Sequence, residues 1–300
     1  MQINMIRSDK VYQEMLELPL EKREGCFRAK ILAPFAMKYQ TQHIPLKAKY
    51  PGGFDALFLL GFMNQLPGTL SEKDRPAIDS LSSDQLWQDC QDTIKRSIGL
   101  FEQAGYDLDV EDYHFTILLG NPEKPMLQLN KGYSGDGGIP GYLMLSLLPN
   151  DYTLPRVQAA LAHECNHNVR FQFIKWNQQT TLADWVVSEG LAESFAAELY
   201  GKDLIGPWVT STSPEQLEEI KPIISSQLQL TGMAEMAPYL YGDEIAKIQG
   251  QMPVGMPYAA GYAYGYHLIQ AYLKRTGKSI VEATVTPTEE ILEATKDFWK

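Results

Sequence analysis

The sequence predicts an α+β protein, predominantly helical, in which a small sheet precedes one long helix. Three observations carry this prediction. Most of residues 1–110 show helical apolar spacing. The texture changes at residue 111, where Tyr113-His-Phe-Thr-Ile-Leu-Leu119 has the composition of a strand. From Pro155 to Trp176 the chain then runs without Gly or Pro, while Val157, Leu161, Cys165, Val169 and Phe173 recur every four residues.

Taken in order, helices are expected over 10–18, 21–39 and 54–65, then a longer one over 84–104 that Gly105 closes. Loop signals fall at Pro51-Gly52-Gly53, at Pro67-Gly68 and in the polar stretch 71–76. The strand 113–119 ends at Gly120-Asn-Pro-Glu-Lys-Pro125, and a Gly-rich turn over 132–138 leads to a second strand over 142–148. The long helix starts at Pro155, which a first turn tolerates. Another spans 182–200 behind a Thr181 cap, others span 214–228 and 258–276, and the tail 279–298 reads as short helical pieces. No internal repeat or low-complexity tract interrupts this order.

The chain has 300 residues, 44% of them hydrophobic and 21% charged, which is ample for a buried core and excludes a disordered or collagen-like chain. Length fits two domains, an N-terminal helical region 1–110 of unread role and a chemical region 111–300, or one continuous domain with an extension, and does not choose between them. Lys and Arg number 26 against 37 Asp and Glu, a net charge of −11 that disfavours nucleic acid and anionic lipid as partners. Apolar runs such as 56–63 and 142–148 are under half of the ~20 residues that span a bilayer. The first ten residues lack the apolar core of a secretory signal, and the three cysteines, Cys26, Cys90 and Cys165, lack paired spacing. Both point to a cytoplasmic address with reduced thiols.

The chemistry concentrates in His163-Glu164-Cys165-Asn166-His167, an HExxH that presents two imidazoles one helical turn apart to a single Zn²⁺. With five histidines in the chain, roughly 0.006 such matches arise by chance. At ~100° per residue, His167 lies about 40° and Glu164 about 100° round from His163, while Cys165 lies near 200°, on the apolar side. Glu164 thus stands beside the metal as a base for its water, not as a ligand. A catalytic zinc takes three protein ligands, and Glu189 and Glu193 follow four residues apart on one helical face. Like charges so placed are unfavourable alone, so the pair is either an exposed acidic face or, beside the HExxH, Glu189 as third ligand with Glu193 as acceptor from the far nitrogen of a ligating imidazole. Gly190 between them costs about 1 kcal/mol inside a helix, which close approach to another helix would offset.

These motifs resemble the gluzincin metallopeptidases, with HExxH on one helix and a ligating Glu on a later one. Trp185 to Ala192 is similar to the aminopeptidase-type W-x-x-x-E-G-x-A. Together with Ser188-Glu-Gly-Leu-Ala-Glu193 and Gly261-Tyr-Ala-Tyr-Gly-Tyr266, the HExxH resembles the YjaZ-type predicted zinc-dependent proteases. The resemblance covers about residues 111–295. It implies a zincin-like fold, one Zn²⁺ per chain, a peptide or protein substrate, and a Y-x-x-G tyrosine that hydrogen-bonds the developing oxyanion. Tyr262 fits that pattern or is a core aromatic, Tyr258 fits it equally well by spelling, and His267 is either a second electrophile or structural. By analogy with zincins, residues 137–148 are either the edge strand that pairs with extended peptide or an ordinary buried strand. The expected function is zinc-dependent peptide hydrolysis. The rivals are a zinc-containing peptide-binding or chaperone-like protein without turnover, and a zinc hydrolase of a non-peptide bond.

Overall fold

The computed structural model describes residues 1–299. Its fold is α+β and predominantly helical, with one small mixed sheet. Contacts divide the chain into two compact units, Met1–Arg96 with Asp109–Glu164, and Ser97–Leu108 with Cys165–Lys300.

The first unit holds the sheet, whose strands are β1 (Gln2–Met5), β2 (Asp112–Leu119), β3 (Tyr133–Ile139) and β4 (Tyr142–Leu147), in the order β1-β2-β4-β3. β1 and β4 run parallel to β2, with Ile3 opposite Tyr113 and Leu145 opposite Ile117, while β3 pairs antiparallel to β4. Two of these strands correct the sequence reading. β1 has four residues, too few to show a period of two, and β3 (YSGDGGI) has the composition of a turn. The expected edge strand 137–148 is also split. Gly141, at φ 86°, turns the chain between β3 and β4, so β4 lies inside the sheet and β3 forms its edge.

The helices α1 (Ser8–Glu17) and α2 (Leu20–Phe27) follow the first strand. The single helix expected over 21–39 is broken: after α2 come a wide turn at Arg28–Leu32, a tight one at Ala33–Phe35 and a short helix, Ala36–Thr41. Pro34 sits in that break and has no N–H to donate. The helix expected over 54–65 shrinks to Ala56–Leu60, capped by Asp55, which accepts from Phe58 N. The long helix α3 (Asp84–Gln103) ends before Gly105, at φ 87°, as expected.

The helix α4 (Val157–Phe173) carries the HExxH. Val157, Leu161, Cys165 and Val169 are buried as their spacing predicts. Phe173, the last residue of the helix, is instead exposed, its ring edge-on to Tyr106. The second unit is helical: α5 (Leu182–Tyr200), α6 (Pro214–Ser226), α7 (Met233–Tyr241), α8 (Ala260–Thr276) and short C-terminal helices. Thr181 and Asp184 cap α5 reciprocally, Asp184 N donating to Thr181 Oγ1 and Thr181 N to Asp184 Oδ2. Beyond its first turn, α5 is buried on every side as far as Ala196. Among the described residues no helix is long and apolar enough to cross a membrane.

Candidate metal centre

Helix α4 sets His163 and His167 one turn apart, and α5 supplies Glu189. One ligand atom from each residue can be chosen so that all three lie within 4.8 Å of one another, and all three side chains are buried. Two ligands at ~2.0–2.1 Å from a tetrahedral zinc stand ~3.4 Å apart. His167 Nε2 and Glu189 Oε2 are 3.3 Å apart. Nitrogen and carboxylate donors of this number suit zinc, and a buried cation would offset the cost of burying the Glu189 carboxylate. The residues therefore fit the metal.

The surroundings fix these side chains in place. The ring of Phe171, one turn after His167, stacks on the imidazole at 5.6 Å with an interplanar angle of 7°. Phe171 then meets Trp176, and Trp176 meets Trp185 edge-on at 4.6 Å. Trp185, the aromatic residue of the W-x-x-x-E-G motif, therefore has a packing role. Arg170, fully buried two turns beyond His163, donates to Ser188 Oγ on α5, to the carbonyls of Thr284 and Thr286, and to Thr288 Oγ1. Burial pushes its guanidinium down to about 10. Asn166 Nδ2 donates to Thr284 Oγ1 at 2.7 Å, so two residues within and beyond the HExxH tie α4 to the C-terminal helices.

Gly190 meets the close approach its position demands. A Cβ there would collide with the carbonyl oxygen of Gly265, and one on Gly265 with the carbonyl oxygen of Val186, so α5 and α8 cross backbone to backbone beside Glu189. Glu193, one turn beyond Glu189, accepts from Gly206 N at 2.5 Å through Oε1 and from Trp208 Nε1 at 2.7 Å through Oε2. Tyr262 lies in the first turn of α8, its ring 6.3 Å from Trp208 and 6.1 Å from Tyr241. The Tyr241 phenol is pushed up by desolvation and by the charge of Glu189. Tyr258 precedes α8. His267 lies a turn further on, edge-on to Tyr266, its imidazole held below the ordinary value by burial and by Lys221.

Glu164 is buried, and the edge strand β3 runs directly over it. A Cβ on Gly135 would overlap the Glu164 carboxylate, and one on Gly137 its backbone carbonyl. The two glycines are two residues apart and so share one face of the strand. That alternation is the signal a turn reading of 132–138 passes over. Arg170, Trp208 and Tyr241 left no comparable mark, because their partners are 12 or more residues away in sequence.

A profile of the family described as "Predicted Zn-dependent protease (DUF2268)" matches residues 86–293. The chain belongs to this family. The matched span of the predicted Zn-dependent protease family includes the HExxH, Glu189 and α8. "Uncharacterized protein YjfC" of Bacillus subtilis is 34% identical over 293 residues, 97% of each chain, so the likeness extends through the N-terminal region. "Uncharacterized protein YjaZ" of the same organism is 27% identical over 155 residues, 50% of this chain and 55% of its own. No solved structure matches.

Proposed function

We propose that this chain hydrolyses peptide bonds with one zinc ion held by His163, His167 and Glu189. The observation that carries the reading is the convergence of those three buried donors, with Glu164 next to the first of them. Bound zinc supplies Lewis-acid polarisation of the substrate carbonyl and of the attacking water. Glu164 takes the proton from that water and returns it to the leaving amine. Glu193, whose oxygens accept from Gly206 N and Trp208 Nε1, is assigned a further bond from the far nitrogen of a ligating imidazole, which would hold its tautomer. The Tyr262 phenol donates to the oxygen on which charge develops, and its place beside Trp208 and Tyr241 supports that assignment over Tyr258. The edge strand β3 pairs with an extended peptide or protein substrate, which brings the scissile bond towards Glu164. Free Cys26, Cys90 and Cys165 support a cytoplasmic setting.

The test combines metal content by elemental mass spectrometry with turnover of a peptide library. We expect one zinc per chain in the wild type, none in Glu189→Ala and a reduced content in Glu193→Ala. Glu164→Gln is expected to keep its zinc and lose ~10²–10⁴-fold in rate. A zinc-loaded wild type that cleaves nothing in the library would replace this reading with that of a peptide-binding protein without turnover.

A further inference from the structure

The segment 41–71 departs from the rest of the chain. It holds one acidic residue, Asp55, whereas the chain has 37 in 300. Asp55 is buried and fully used: Oδ1 accepts from Phe58 N, and Oδ2 accepts from Ala48 N and from Arg28, which also pairs with Glu24. This knot folds the loop that carries Lys47 and Lys49 against the start of the short helix Ala56–Leu60. Both lysines are exposed, and neither forms an ion pair among the described residues.

Beside them stands a ridge of exposed aromatics. Phe54, Phe58 and Phe62 recur every four residues at 52%, 49% and 51% exposure, and Tyr50 is exposed at 69%. The phenylalanines touch one another, with ring centroids 5.9 and 5.5 Å apart, and do not turn inward to the core. Four half-exposed rings present ~400 Å² of aromatic surface. A stable dimer takes about 800 Å² from each partner, so the ridge is too small for a second copy of the chain. Aromatic rings beside lysines, with no exposed acid between them, suit the headgroup region of an anionic bilayer, where rings insert shallowly and ammonium groups meet phosphates.

We propose that this ridge is a peripheral docking surface for anionic lipid, with Tyr50, Phe54, Phe58 and Phe62 inserting and Lys47 and Lys49 on the headgroups. The net charge of −11 argued against such a partner, but charge is screened within about 8–10 Å at moderate salt, so the local balance at the ridge decides. The surface is independent of the proposed peptidase chemistry, and so is its test.

The experiment is co-sedimentation of the full chain with vesicles of phosphatidylcholine alone and of phosphatidylcholine with phosphatidylglycerol. Binding is expected to the anionic vesicles, weakened at high salt. F54S/F58S/F62S should bind at least tenfold more weakly, and K47E/K49E should lose about fivefold or more per lysine. The lysine variant, checked by circular dichroism, keeps the test valid if the triple variant misfolds. The proposal is overturned if the wild type stays in the supernatant with anionic vesicles, or if either variant binds as well as the wild type. A dimer in light scattering that the triple variant abolishes would overturn it in favour of self-association.

Discussion

At Glu164 the side chain occupies space that two glycines leave open, and the two respond differently to a methyl group. Alanine at 135 meets the mobile end of Glu164, which can swing aside, whereas alanine at 137 meets a backbone carbonyl that cannot. Gly135→Ala is therefore expected to lower hydrolysis at least tenfold with zinc content and melting temperature nearly unchanged. Gly137→Ala should cost about 1–3 kcal/mol of stability, read as a fall in melting temperature. Equal effects of the two variants on both readouts would refute this assignment. Tyr262→Phe removes only a hydroxyl, so we expect kcat to fall ~10–100-fold with KM little changed if the phenol serves the transition state. An unchanged kcat would return Tyr262 to aromatic packing with Trp208 and Tyr241.

At the scale of elements, the α5–α8 crossing and the Arg170 clasp position Glu189. The crossing has no room for a side chain at either glycine, and both obstacles are backbone oxygens. Gly190→Ala should therefore separate the helices at an overpacking cost of about 1–3 kcal/mol and lower zinc affinity in a chelator competition. Retained affinity would show that Glu189 tolerates a shift of its helix. Arg170→Met keeps much of the volume but leaves the buried carbonyls of Thr284 and Thr286 without their donor. Its expected cost is about 1–3 kcal/mol for each carbonyl left unsatisfied, measured by denaturant unfolding of the zinc-free protein, where the clasp is separated from the metal.

For the whole molecule, the proposed metal site and the buried imidazole of His267 each predict a change in stability. Zinc that binds only the folded chain adds stability with concentration, about 2.7 kcal/mol at a hundredfold excess over its dissociation constant. Calorimetry should show a lower melting temperature after chelation, recovery with zinc, and no response in Glu189→Ala. His267 provides a sign that can be checked. Its imidazole is held below its ordinary value in the fold, so as pH falls through that ordinary value, near 6.5, the unfolded chain takes the proton first and the native state loses stability. His267→Gln should lose less stability than the wild type below that pH. An identical acid limb in both proteins would remove His267 from the account.

Local patterns were enough to place the HExxH residues on one helix, the start of α5 at Thr181, Cys165 in the core and a helix partner at Gly190. Each rests on a period, a cap or a spacing within a few residues. Tertiary structure alone decided that Tyr133–Ile139 is an edge strand, because its glycines are explained by what lies beneath them and not by their neighbours in sequence. It also decided that Trp208 donates to Glu193 and that Arg170 holds the C-terminal helices. Sequence motifs named Glu189 as the partner of two histidines 22 and 26 residues earlier, and the packing of two buried helices is what brings the three within reach of one another. Burial makes an unpaired carboxylate costly, and that cost selects a packing in which the donors meet at one point.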